Sequence, residues 1–235
     1  MKMHQVATFI PAYNAETFLA ETIQSASTLP VHCLDNGSTD ATHAIASQHL
    51  PPDQVDRNAH ALGRVENWNA TIELFLKKDY SWMKWLFTGD LLVPEAPQLL
   101  AQAVIQASSC GMILFNYRAV LPGRSFLWRP KGIDPRESRI LQPDETLYLV
   151  AKYGNIFGPP LAQCLHRDAM QDVRFSTGLH WAADMAFCLE IATKHPVFYC
   201  NEIIGEFRTD RRRVFSTQEQ KLSSILEEQL VKTKA

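Results

Sequence analysis

Two short polar clusters, Pro11-Ala12-Tyr13-Asn14 and Asp35-Asn36-Gly37-Ser38-Thr39-Asp40, carry the densest chemistry in the first part of the chain. Tyr13 offers a flat face on which a base can lie. Asp35 and Asn36 offer a carboxylate and an amide, which can pair with the polar edge of a base or with a ribose hydroxyl. Gly37 permits a tight turn, and Ser38 or Asp40 can cap a following helix. The same residues also make an ordinary turn with a helix cap, because Asn, Gly, Ser and Asp dominate turns. Position has to decide between the two readings.

The surrounding elements set that position. Gln5 to Ile10 reads as a short apolar strand, which Pro11 is expected to end by removing a ladder donor. An amphipathic helix, with Asn14 or Thr17 as cap, runs to about Ser27, and Val31 to Leu34 is a second strand. Strand, helix and strand make a βαβ unit, whose crossover is right-handed almost without exception. Both clusters then lie at the carboxyl ends of neighbouring parallel strands, the edge where open α/β sheets bind ligands. A nucleotide is expected there.

Further segments follow in register. Gly63-Arg64-Val-Glu-Asn67-Trp68-Asn69 opens a helix to Lys77, with Val65, Trp68, Ile72 and Phe75 or Leu76 at helical spacing. Trp85-Leu-Phe-Thr88-Gly89-Asp90-Leu-Leu-Val-Pro94 is the end of a buried strand and the turn after it. Gly158-Pro159-Pro160 is a loop, and His180-Trp181-Ala-Ala-Asp184-Met-Ala-Phe-Cys-Leu-Glu190 leads into a helix. Taken in this order, the segments resemble the inverting glycosyltransferases of family 2 over nearly the whole chain. Members have an apolar strand ending in Pro-x-Tyr-Asn and a second ending in Asp-Asp-Gly-Ser-x-Asp or Asp-Asn-Gly-Ser-x-Asp.

The resemblance implies the GT-A fold, an α/β three-layer sandwich with a mostly parallel central sheet. It implies transfer of a sugar from a nucleoside diphosphate to an acceptor hydroxyl with inversion at the anomeric carbon. The donor would meet Pro11, Ala12, Tyr13, Asn14, Asp35, Asn36, Arg64, Asn67, Gly89 and Asp90. The acceptor would meet Pro159, Pro160, His180 and Trp181. A divalent metal, Mn²⁺ or Mg²⁺, would be held at Asp90, because hard cations take carboxylate and phosphate oxygens while keeping water ligands. Asp210 stands where the family often has a His that approaches the metal. Two departures stand out: Thr88-Gly89-Asp90 where two consecutive acids are usual, and Ala183 where Glu often precedes the base.

Asp184 occupies the position of the family's catalytic base. Phe187, Cys188 and Ile191 follow it as an apolar stripe, so it is expected to face the cleft. A first-turn carboxylate is also favoured by the helix dipole alone. Trp181 can stack on an acceptor sugar or pack in the core, and His180 can bind or simply hydrogen-bond. Arg64 and Arg211-Arg212-Arg213 have two readings each, a clamp on the diphosphate or a solvated basic face.

The rest of the chain frames these residues. Its 235 residues, 46% hydrophobic, suffice for one sizeable core. The expected organisation is a single unit over 1–235, with 1–117 as donor half and 118–235 as acceptor half ending in an amphipathic helix docked on the body. A stretch without periodicity from Leu121 to Thr146, punctuated by Pro122, Pro130, Pro135 and Pro143, is expected to be a lid or binding loop. A net charge of −2 gives no footprint for nucleic acid. Five scattered cysteines, no long apolar span and no apolar leader point to a cytoplasmic protein with at most peripheral contact with the inner membrane face. The expected partners are a nucleotide-sugar donor and a glycan or lipid-linked acceptor, in surface polysaccharide or glycoconjugate synthesis. The rival readings are a non-catalytic nucleotide- or sugar-binding module of the same fold, or a nucleotidyltransferase. The second lacks the Gly-rich phosphate loop it would need after the first strand.

Overall fold

The computed structural model describes residues 5–208 and 218–233. In chain order the elements are β1 (Val6–Ala12), α1 (Leu19–Ser25), β2 (Val31–Asp35), α2 (Thr42–His49), β3 (Val55–Arg57), α3 (Arg64–Lys77), β4 (Trp82–Trp85) and β5 (Leu91–Leu92). They continue as α4 (Ala96–Gln106), β6 (Met112–Leu121), β7 (Arg124–Trp128), β8 (Arg139–Leu141), α5 (Pro143–Tyr153), β9 (Gln163–His166), α6 (Ala183–Lys194), β10 (Val197–Arg208) and α7 (Gln218–Lys232).

All the strands share one sheet in the order β3-β2-β1-β4-β9-β6-β10-β5, with β7 on β6 and β8 on β10. Pairing is parallel from β3 to β4 and again between β6 and β10. Strand β9 runs antiparallel between β4 and β6 and so splices the two parallel blocks. Along β1 the side chains alternate between two cores, as the strand period demands. Ala7 and Phe9 pack with α3, α5, α6 and α7, whereas Val6, Ile10 and Ala12 pack with α1, α2 and α4. The expected three-layer α/β sandwich is therefore present. Phe9, Phe75 and Phe187 are sealed in the first core, where burial contributes about 1.5–3 kcal/mol for each such side chain. Among the described residues no helix is long and apolar enough to cross a membrane.

Three local expectations need correcting. Strand β1 does not stop at Pro11 but runs on to Ala12, paired with Asp35. The Thr8 N–H points to Pro30 on the β2 side, so the missing donor of Pro11 falls on the β4 side. There the ladder has already ended at the Phe9–Trp85 pair, and the proline costs nothing. Neither Asn14 nor Thr17 caps α1, which begins at Leu19 without a side-chain cap. Finally, the stretch from Leu121 to Thr146 is not structureless. β6 and β7 form a hairpin around Pro122-Gly123, and β8 pairs with β10. Its prolines mark boundaries: Pro122 lies in the hairpin turn, Pro130 follows β7, and Pro143 opens α5, a position where its absent N–H is harmless.

Two contacts fix the helices that bear on the site. Arg167 gathers the carbonyls of Phe75, Leu76 and Lys78 at the C-terminus of α3, together with Tyr80 O. A cation there satisfies orphan carbonyls and complements the helix dipole. In the middle of α3, Asn69 exchanges two hydrogen bonds with the backbone of Phe175, at 3.0 and 2.8 Å. Phe175 in turn stacks on Phe187 of α6 at 4.1 Å. The start of α6, and with it Asp184, is thereby tied to α3.

Candidate functional site

At the carboxyl edge of β1 and β2 the two polar clusters are stitched together. Asn14, in the left-handed region at φ 45°, donates its N–H to Ser38 Oγ at 3.0 Å and accepts from the Thr39 N–H at 3.0 Å. Asp40 accepts from Glu16 N–H and from Thr42 N–H, at 3.2 and 3.0 Å. Gly37 has φ 66°, and a Cβ on it would lie 2.8 Å from the backbone of His60, so no other residue fits this crossing of loops.

Asp35 and Asn36 are built into the scaffold of this edge. Asp35 is fully buried, accepting from the Ser38 N–H at 3.1 Å and facing Arg57 Nε at 3.0 Å. Asn36 clasps Leu62 through its amide nitrogen and oxygen at 2.9 and 3.0 Å, and accepts from Asn58 at 2.8 Å. Asn58 also reaches Asn67 at 3.3 Å, which joins the start of α3 to the same network. Tyr13, half exposed, is left to present its ring at this edge. Arg57, at the carboxyl end of β3, is a site neighbour that the sequence reading missed, because a three-residue strand leaves no periodic signal.

Asp90 sits on the next part of the rim. The Thr22 hydroxyl accepts from Gly89 N–H at 2.9 Å and donates to the Asp90 carbonyl at 3.3 Å, so α1 holds the turn. The Asp90 carboxylate is 2% exposed and accepts the Arg208 N–H at 3.2 Å. The Arg208 guanidinium is itself engaged by Glu21 and Glu206, at 2.9 and 3.2 Å. Gly89 supplies no side chain, and Asp210, like Arg211 to Arg213, lies outside the described residues. Among those residues no three of His, Cys, Asp or Glu gather as a cage. One buried carboxylate fits a hard cation that draws its other ligands from a diphosphate and water, and not one held by protein alone.

Lys84 of β4 lies beneath this rim, fully buried, and donates to the carbonyls of Trp85, Leu161 and Gln163. Three carbonyl acceptors match the three donors of an ammonium. Burial pushes the group down to about 7, while Cys164 and Asp90 favour its charge. The lysine thus ties the strand leading to Asp90 to the segment that follows Pro160.

Asp184 stands in the first turn of α6, half-buried, with one carboxylate oxygen accepting the Met185 N–H at 2.8 Å. Burial pushes its carboxyl up to about 6, against the opposing pull of the Met185 N–H and of Arg64. Arg64, expected among the donor groups, lies beside this helix, donating to the His180 carbonyl with its guanidinium 5.1 Å from the Trp68 ring and 5.9 Å from that of Trp181. His180 packs edge-on against Trp181 at 4.7 Å.

Tyr117 and Trp128 complete the surroundings; Trp128 lies in the segment Phe126 to Arg129, for which the sequence left open contact with a lipid-linked acceptor or burial under the body, and Tyr117 was not singled out. The β6–β7 register sets them opposite each other, and their rings stack at 4.9 Å. Phe207, next to Arg208, packs edge-on against Tyr117 at 5.9 Å. Burial raises the Tyr117 phenol above its ordinary value, and the charges of Asp90 and Asp184 both add to this. Gly158 must be glycine here: at φ 68°, a Cβ would lie 3.1 Å from Trp128 and 3.2 Å from Tyr117. The Pro159-Pro160 loop is thereby seated against the aromatic pair.

Residues 8–169 match the family model of glycosyl transferase family 2. Among curated proteins none matches the chain. The fold is similar to that of S. aureus TarS 1-349 solved in complex with UDP-GlcNAc, with a TM-score of 0.71 at 14% identity, over 97% of this chain and 66% of that one. It is similar as well to glucosyl-3-phosphoglycerate synthase from Mycobacterium tuberculosis, in complex with Mn²⁺ and UDP-glucose. There the TM-score is 0.57 at 14% identity, over 96% of this chain and 79% of that one. Against a second crystal structure of S. aureus TarS, the chain spans only 37% of the length.

Proposed function

Because the chain belongs to glycosyl transferase family 2, we propose that it moves a sugar from a nucleoside diphosphate sugar to an acceptor hydroxyl with inversion, in the cytoplasm. The observation that carries this reading is Asp184. A half-buried carboxylate whose pKa is lifted to about 6 is ionised at neutral pH and still basic enough to take a proton. The charges of Asp184 and of Asp90, the group assigned to the diphosphate, are both felt at Tyr117, which supports their sharing one site.

In this reading the nucleoside lies at the Tyr13–Asn14 edge, over a wall set by Asp35, Asn36 and Asn67. The diphosphate lies toward Asp90, and Mn²⁺ or Mg²⁺ bound there would act as a Lewis acid on the departing charge. Pro159, Pro160, Trp181 and the Tyr117–Trp128 pair border the acceptor. Asp184 takes the acceptor proton as its oxygen attacks the anomeric carbon on the face opposite the diphosphate, and a single displacement of this kind inverts the anomeric centre. The two ligand-bound enzymes of similar fold both hold UDP-sugars, which makes the uridine series the first to try. A glycan or lipid-linked acceptor in surface polysaccharide synthesis follows from the family resemblance.

Gly89, where a second acid is usual, favours a second reading, a module that binds the nucleotide sugar without turnover. Release of nucleoside diphosphate from a nucleotide-sugar panel, with Mn²⁺ present and water as the default acceptor, separates the two. Transferase activity predicts slow release from one nucleotide series, faster once an acceptor extract is added. Binding without release in any mixture would leave the module.

A further inference from the structure

Helix α6 begins without a side-chain cap of its own, because its N-cap is Ala182. The N–H groups of the preceding segment would be left without partners. A residue from α7 takes all of them. Glu227 accepts from the His180 N–H at 3.0 Å, from Trp181 at 2.6 Å and from Ala182 at 2.9 Å. Burial opposes its charge, yet these N–H groups and the nearby His180 hold the carboxyl below the usual glutamate range. The helix that brings it is firmly seated: Val231 is buried in the core shared with α6, and Glu228 accepts the Asn155 N–H at 3.4 Å. Arg64, bonded to the His180 carbonyl, is a cation near both acids; burial weakens its charge, and Asp184 and Glu227 both support it.

We propose that Glu227 is a positioning residue of the transfer reaction: it orders the His180–Ala182 segment that delivers Asp184, and it shares Arg64 with that aspartate. This rests on the reading of Asp184 as the base. The groups facing Asp184 are Arg64 from α3, Tyr117 from β6 and Cys188 within α6. Glu227 acts on it through Arg64, and His180 faces Glu227. Neutralising Glu227 removes one of the two charges that hold Arg64 and leaves its guanidinium free to turn to Asp184, which favours the charged form of the aspartate. The arrangement therefore holds Asp184 more basic than Arg64 alone would leave it.

The test is a ¹³C titration of protein labelled at the aspartate carboxyl carbon, with the Asp184 resonance assigned by its loss in Asp184→Asn. In Glu227→Gln that resonance should titrate at a lower pH than in the wild type, while melting and circular dichroism report a folded chain. The pH below which kcat/KM falls should move down with it, and kcat should fall while the KM for the donor stays. An unchanged Asp184 midpoint in the folded variant overturns the proposal. Should Glu227→Gln not fold, the wild-type amides of His180, Trp181 and Ala182 should shift together on acidification, at one midpoint below the ordinary glutamate range. Independent behaviour of the three amides would equally overturn it. Both titrations read the contact without turnover. An inactive chain with the shifted midpoint would thus remove the reaction assigned to Asp184 and leave the coupling to Glu227 standing.

Discussion

Asp184→Asn lowers sugar transfer about 10²–10⁴-fold, the usual contribution of a positioned base, while nucleotide binding persists. Asparagine keeps the shape and can still accept the Met185 N–H, so the start of α6 is preserved and only the proton acceptor is lost. The pH dependence gives a second signature. With a carboxyl pushed up to about 6, wild-type kcat/KM should fall below that pH as the base becomes protonated and level off above it. Stability moves the other way. A carboxyl whose folded pKa exceeds the unfolded value binds protons more readily when folded, so its contribution to stability is lost as pH rises through the interval from 3.8 to about 6. The neutral Asn variant should therefore unfold at a higher temperature than the wild type at pH 7, by a gain on the order of 1–3 kcal/mol. Loss of turnover together with a gain in stability marks a functional site. A carboxylate that only capped the helix would give the reverse, a variant less stable and still active.

The second large effect is expected at Asp90. Asp90→Ala should lower turnover by about 10²–10³-fold, the scale of losing one preorganised group that stabilises departing charge. It should also abolish any difference between Mn²⁺ and chelator in the binding of nucleoside diphosphates. Part of the damage is structural, since the half-buried Arg208 N–H loses its acceptor, at a cost of about 1 kcal/mol. Calorimetric titration with a nucleoside diphosphate and with its parent nucleoside separates the two effects. The nucleoside should bind the variant nearly as well as the wild type, and the diphosphate should not. Equal weakening of both would mean that Asp90 only holds the fold.

The first βαβ unit was legible in the sequence because strand, helix and polar edge follow one another within forty residues. Apolar runs and the polar turn at Gly37 mark the elements at that range, although Pro11 lies within β1 rather than at its end. Asp184 and the stripe beneath it were legible for the same local reason. What escaped depends on chain segments far apart in sequence. Tyr117 and Trp128 meet only through the register of a hairpin whose prolines read as a loop. Glu227 looks like one more acid on a polar helix until α7 docks and carries it to the N–H groups of residues 180–182. Arg64 begins α3 as expected, but which side it serves is decided by the segment before α6 and by two tryptophan rings. Asp35 and Asn36 have the chemistry the sequence indicated, and the fold spends much of it on holding two loops together.

The central claim is that the carboxyl edge of β1 and β2 receives the nucleotide of a sugar donor. Thermal unfolding with a panel of nucleoside diphosphates and nucleotide sugars, with Mn²⁺ and with chelator, tests it most directly. One nucleotide series should stabilise the chain, by about 2.7 kcal/mol at roughly a hundred times the dissociation constant, more strongly with metal, and without the metal increment in Asp90→Ala. An unfolding temperature unmoved by every nucleotide under both conditions would contradict the donor site, and with it the transferase.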